Sequence, residues 1–354
     1  MRIAQVAPLA EAVPPKLYGG TERVVSYLTE ELVSLGHDVT LFASGDSDTS
    51  AELVPITPRA LRLDPSVRDM VAPHIVMLET VSRRAREFDI IHVHIDHLHL
   101  PLFSWRRLPF LTTLHGRLDL PEIVPVFEAY PEAPFVSISG AQRRPLPAAN
   151  WIGTVYHGLP DHFLRFNPRP QGYLAFLGRI SPEKGPDRAI RIAARVGMPL
   201  KIAAKVDNAD RAYHEAVIEP MLRDHAGLVE FIGEIAEHEK AEFLGNAAAL
   251  LFPIDWPEPF GLVMIEAMAC GTPVIAFNRG SVPEVLERGV TGFIVEDEVG
   301  AATAVRRLDD LDRHRIRAAF EGRFTARRMA EDYLALYERV ATGAAIPSLA
   351  VAAE

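Results

Sequence analysis

The sequence predicts an α/β protein built from two Rossmann-like, doubly wound domains that face each other across an interdomain cleft. Three observations carry this expectation. Apolar runs of strand length alternate with longer amphipathic stretches along the 354 residues, which is the pattern of parallel βαβ units. That length exceeds what one hydrophobic core ordinarily serves. The alternation also pauses once, at "FLRFNPRPQG" (163–172), whose proline and glycine content suits a linker, and then restarts.

In the first half, strands are expected at "RIAQVAP", "DVTLFAS", "DIIHVHI", "PFLTTLH", "FVSIS" and "GTVYH". The clearest helix between them is "TERVVSYLTEELVSLG", with Thr21 as N-cap and Gly36 as the stop. In the second half the strands read "YLAFLGR", "LKIAAKV", "VEFIGEI", "ALLFP", "PVIAFN" and "GFIVE", with helices at "GPDRAIRIAARVG" and "HEAVIEPMLRDHA". A final helix, "TARRMAEDYLALYERVATG", precedes a weakly structured "AAIPSLAVAAE" tail. The expected domains are 1–165 and 172–325, followed by the closing helix 326–342.

Composition narrows the class. Hydrophobic residues make up 48% and charged residues 24% of the chain, and no apolar run approaches a membrane span. Met1 leads straight into a strand-like segment with no secretory pattern, so a cytoplasmic protein is expected. The single cysteine, Cys270, excludes an internal disulfide and a thiolate metal cage. A net charge of −10, divided roughly −4 before residue 166 and −6 after it, gives neither half a nucleic-acid footprint.

Five places at predicted strand ends carry possible chemistry. Gly19 and Gly20 in "KLYGGTERVV" precede a helix and fit either a cradle for phosphate or sugar oxygens or a plain turn; neither a dinucleotide fingerprint nor a Walker A pattern is present. His115 in "TTLHG" ends a strand beside Gly116, where a ligand can come close; a lone histidine also fits a structural role. Arg179 and Lys184 in "FLGRISPEKGPDRAI" bracket a helix start opened by Pro186, an arrangement suited to a diphosphate or to an ordinary surface.

The fourth place is "WPEPFGLVMIEAMAC". Glu258 lies in the loop and Glu266 in the second helical turn, about 9 Å or more apart along the axis at about 1.5 Å per residue. Each carboxylate can accept hydrogen bonds from vicinal hydroxyls, while amides of Gly261, Leu262 and Val263 meet an anion between them. The alternative is a helix cap at Glu258 and a buried ion pair at Glu266. The fifth is "IIHVHIDHLHLP", where His92, His94, His97 and His99 invite a metal reading, but the carboxylate or cysteine partners are not evident. "GDSD" (45–48) reads as a turn.

Together Gly19 and Gly20, "TLHG", "GRISPEKG", "EPFGLVMIEAMACGTPVIA" and "GSVPEVLERGVTGFIVE" resemble, in order, retaining glycosyltransferases of family 4, which have the GT-B architecture. The resemblance spans Met1 to about residue 340. It implies transfer of a hexose from a UDP- or GDP-sugar to a saccharide or small-molecule acceptor, without a metal or other cofactor. By the same resemblance Arg179 and Lys184 hold the donor diphosphate, Glu266 the ribose and Glu258 the transferred sugar. The backbone of Phe260, Gly261, Leu262 and Val263 completes that site, and Ile232, Gly233 and Ile235 contact the base. Gly19, Gly20 and His115 reach in from the acceptor side, and the final helix crosses back to the first domain. A sugar-nucleotide epimerase or hydrolase, and a non-catalytic nucleotide-sugar binder, remain the competing readings.

Overall fold

The computed structural model describes residues 1–16 and 19–342; the expected tail lies outside the described residues. The chain divides into two compact units: Met1–Gly158 with the chain from Ala326 onward, and Leu159–Thr325.

The first unit holds a seven-stranded sheet: β1 (Arg2–Val6), β2 (Asp38–Ser44), β3 (Glu52–Thr57), β4 (Ile90–Val93), β5 (Phe110–Thr113), β6 (Phe135–Ser137) and β7 (Trp151–Thr154). Its strand order is β3-β2-β1-β4-β5-β6-β7, with every pairing parallel. Except at the edge strand β3 the strands are buried on both faces, as a sheet covered by helices requires; Ile3, Phe42, Ile91 and Phe135 are fully buried. β3 was not expected from the sequence. It is an edge strand that carries Pro55 and none of its residues is buried, so it lacks an apolar run.

The helix Gly20–Ser34 starts one residue before Thr21, so Gly19 and not Thr21 is its N-cap, and no side chain caps it. It ends where Gly36 takes a positive φ of 84°. The helix Ala326–Ala341 packs on it and on β4 and β5, seating Tyr333 and Tyr337 in the core of this unit.

The second unit repeats the topology in six strands: β8 (Tyr173–Arg179), β9 (Leu200–Lys205), β10 (Val229–Gly233), β11 (Ala247–Phe252), β12 (Val274–Phe277) and β13 (Gly292–Val295). The order is β10-β9-β8-β11-β12-β13, again all parallel. Segment 163–172, expected as a linker, is bound to this unit: Asn167 N donates to Cys270 O at 3.1 Å and Gln171 N to Asn246 O at 2.7 Å. "HEAVIEPMLRDHA" is not one regular helix; it opens on a π-helical stretch, His214–Ile218, and is α-helical only over Glu219–Asp224. Cys270 is buried and burial pushes its thiol up to about 12, so it packs rather than reacts.

Strand order reverses between β1 and β4 in one unit and between β8 and β11 in the other. In open α/β sheets, ligands bind beyond the carboxyl ends of the strands at such a reversal. Among the described residues no helix is long and apolar enough to cross a membrane.

Candidate functional site

In the second unit, β8 delivers Arg179 to the reversal point and β11 delivers the loop that carries Glu258. The loops are laced together by backbone contacts. Asp255 N donates to Glu183 O at 2.8 Å, and Arg188 Nε donates to Pro253 O at 2.8 Å. Gly185 has φ 74°, and a Cβ there would overlap the Pro253 carbonyl oxygen. On the other side Gly280, at φ 55°, lies so close to the Glu258 backbone that no side chain fits. Ser281 N donates to Glu258 O at 2.9 Å and its Oγ to Phe260 O at 2.9 Å. The Glu258 loop is therefore fixed from both flanks, and Gly280 and Ser281 are supports that the candidate residues chosen from the sequence do not include.

Both glutamates are buried, Glu258 at 7% and Glu266 at 4% exposure. Burial of a carboxylate requires a partner. Glu258 Oε2 is ion-paired with Lys184 Nζ and accepts from Trp256 Nε1 at 2.9 Å, and the Lys184 ammonium lies 4.8 Å from the Trp256 ring centroid. Glu266 Oε1 accepts from Lys240 Nζ at 2.8 Å, and Lys240 also pairs with Glu237 at 3.1 Å. Half of the alternative reading therefore holds: Glu266 is an ion-pair partner, whereas Glu258 is not a helix cap. The helix Leu262–Ala269 begins at Gly261 (φ 80°) with no side-chain cap.

Arg179 and Lys184 do not meet on one point. Arg179 is taken by Glu183 at 2.7 Å and Asp210 at 3.2 Å, while Lys184 is taken by Glu258. Phe260 is buried against Phe324, leaving only its backbone toward the helix start, and its carbonyl is occupied by Ser281. β10 ends at Gly233 (φ 80°); Ile232 is exposed and Ile235 lies past the strand.

In the first unit, Pro8, Thr21, His94, Asp96 and His115 line a cavity of about 300 Å³. It sits beyond the ends of β1, β4 and β5. Gly19, in extended backbone, receives the Arg23 amide at 3.3 Å on its carbonyl, and Gly20 opens the helix that places Thr21. Leu17 and Tyr18 lie outside the described residues.

Three histidines of "IIHVHIDHLHLP", His92, His94 and His99, are tied into hydrogen bonds. His92 joins Tyr337 OH and Thr113 Oγ1, both at 2.7 Å, and His99 Nε2 joins Thr112 Oγ1 at 2.8 Å. His94 Nε2 donates to Gln5 Oε1 at 2.8 Å, so its Nδ1 accepts from His115 Nε2 at 2.9 Å. This leaves a lone pair on His115 Nδ1, which is buried without a partner. Burial holds the His92, His94 and His157 imidazoles well below the usual histidine value and pushes His99 and His115 down to about 3. Among the described residues no three His, Cys, Asp or Glu gather as a metal-holding group. "GDSD" is a turn in which Asp46 accepts from Ala60 N at 2.9 Å and pairs with Lys16 at 3.1 Å.

Residues 18–164 match the sequence model described as Glycosyltransferase Family 4, and residues 165–319 match that of Glycosyl transferases group 1. The glycogen synthase of Mycobacterium tuberculosis is 27% identical over 387 residues, covering 91% of this chain and 92% of that protein. Sucrose-phosphate synthase from Thermosynechococcus elongatus superposes with a TM-score of 0.78 at 20% identity, covering 97% of this chain and all (100%) of the other. Anabaena HepE, solved in complex with UDP and glucose, superposes with a TM-score of 0.74 at 17% identity, covering 96% and 99%. The likeness to these solved structures shows the fold, GT-B.

Proposed function

The chain belongs to the group 1 glycosyltransferases of family 4, and from that premise we propose that it moves a hexose from a UDP- or GDP-sugar to a hydroxyl of a saccharide or small-molecule acceptor, with retention. The observation that carries the reading is the pairing at the reversal point of the second unit: two buried glutamates, each balanced by a lysine, flank an uncapped helix start.

A donor diphosphate supplies what this arrangement lacks. Its oxygens take the Leu262 and Val263 amides and draw Lys184, and Arg179 from its acidic neighbours, as point charge and fork. Lys184 leaving Glu258 frees that carboxylate for the hydroxyls of the transferred hexose. Glu266, still balanced by Lys240, accepts from the ribose hydroxyls. Exposed Ile232, with Gly233 and Ile235, offers the base an apolar edge.

As the anomeric C1–O bond to the diphosphate breaks, positive charge grows on the sugar and negative charge on the leaving group. Lys184, Arg179 and the helix amides hold that negative charge more strongly in the transition state than before it, which lowers the barrier. The acceptor oxygen attacks C1 from the face the diphosphate leaves, and its proton passes to a diphosphate oxygen. These cations and amides supply the charge a metal would otherwise bring. His115, with a proton on Nε2 turned to His94, is assigned to positioning on the acceptor side with Gly19 and Gly20.

Product analysis tests the reading. Consumption of a sugar nucleotide is expected to depend on an acceptor and to yield a glycoside of unchanged anomeric configuration. Isomerised or hydrolysed sugar, formed equally fast with no acceptor, would instead identify an epimerase or hydrolase.

A further inference from the structure

We propose that the cavity of the first unit selects an uncharged, hydroxyl-rich acceptor over a phosphorylated one, and that Asp96 makes the selection. The proposal rests on the transfer reading in treating this cavity as the acceptor's.

Asp96 lines the cavity in a left-handed backbone, φ 54°, immediately beyond β4. A non-glycine residue in that conformation carries strain, and such strain collects where a side chain must be aimed. Asp96 is exposed as a residue, its surroundings push its carboxyl above the usual carboxylate range, and when ionised it brings the only formal charge among the described lining residues. The others are apolar, a hydroxyl at Thr21, or imidazoles. His74 has both ring nitrogens engaged by backbone, Nε2 by Leu9 N at 3.2 Å and Nδ1 by Met70 O at 2.7 Å.

Three cations of the neighbouring segments are already balanced. Arg117, next to Gly116, forks onto Asp119 with two contacts of 2.7 Å, Arg62 holds Glu11 at 2.9 Å and Lys16 holds Asp46 at 3.1 Å. The helix Gly20–Ser34 would ordinarily attract a phosphate at its N-terminus. Here Glu22, in its first turn, is pushed up by burial and accepts from the Glu22 and Glu11 backbone amides, so that end is already occupied by a carboxyl group of the chain. A cavity of acceptors with one anion suits hydroxyl donors. A phosphate dianion brings only acceptors and like charge.

Ligand-observed NMR titration of the whole chain with glucose and with glucose 6-phosphate, without and with excess UDP to fill the donor side, tests this. The wild type is expected to bind glucose at least about tenfold more tightly, and Asp96→Asn, which tolerates the same backbone, to bring the two within about threefold. Asp96→Gly, which also relieves the backbone, is expected to lose the preference to the same extent. Tighter or equal binding of glucose 6-phosphate, no saturable binding of either sugar, or a preference that survives both substitutions overturns the proposal. Failure of UDP itself to bind removes the transfer reading, whereas UDP binding with glucose 6-phosphate preferred removes only this one.

Discussion

The two units share a strand order but carry opposite chemistry at the ends of their strands. The first places neutral, hydrogen-bonded histidines around a cavity; the second places buried glutamates against lysines. The difference shows that strand order decides where a site lies and the loops decide what it does. It also divides the ways in which each unit can be broken.

The largest expected effect is on acid stability. His92, His94, His99, His115 and His157 all titrate below the usual histidine value of about 6.5 when folded, so the unfolded chain binds more protons below that pH. Their contribution is complete above about pH 6.5 and is lost as pH falls toward the folded values, at up to about 1.4 kcal/mol per pH unit for each ring. Calorimetry from pH 7.5 to 5 should therefore show the first unit melting earlier while the second changes less. Parallel shifts of both units would contradict the contrast.

Next is Lys240→Met, which leaves Glu266 buried without its partner and should cost about 3 kcal/mol in denaturant unfolding. Adding Glu266→Gln should recover most of that loss; no recovery would mean the pair is not the cause. Gly280→Ala forces a side chain into the Glu258 backbone at φ 55° and should destabilise by about 2 kcal/mol, with a larger fall in turnover than in nucleotide affinity. Glu258→Ala should likewise damage turnover more than nucleotide binding. The smallest effect is expected at Thr21. Because it caps nothing, Thr21→Ala should stay within about 0.5 kcal/mol of the wild type in thermal unfolding.

What was legible in the sequence follows the range of the interactions. The core strands declare themselves because each is a local apolar run, and β3 escapes because Pro55 and half-exposed positions break its run. Glu258 and Glu266 stand out because they interrupt an apolar stretch. Their lysines do not: Lys184 lies 74 residues from Glu258 and Lys240 lies 26 from Glu266, and nothing local announces either contact. The same limit hid Gly280, whose constraint is the backbone of Glu258, and the chain from Tyr337 through Gln5 and His94 to His115. Within "HVHIDH" the repeated histidines invite a metal reading that the missing carboxylate or cysteine partners oppose, while nothing local announces the left-handed backbone of Asp96.

The central claim is that the reversal point of the second unit holds the nucleotide of the donor, and titration calorimetry with UDP and GDP tests it most directly. The wild type should bind at least one of the two, and both Lys184→Ala and Glu266→Ala should weaken that binding about tenfold or more. Affinity unchanged in both variants would contradict the account.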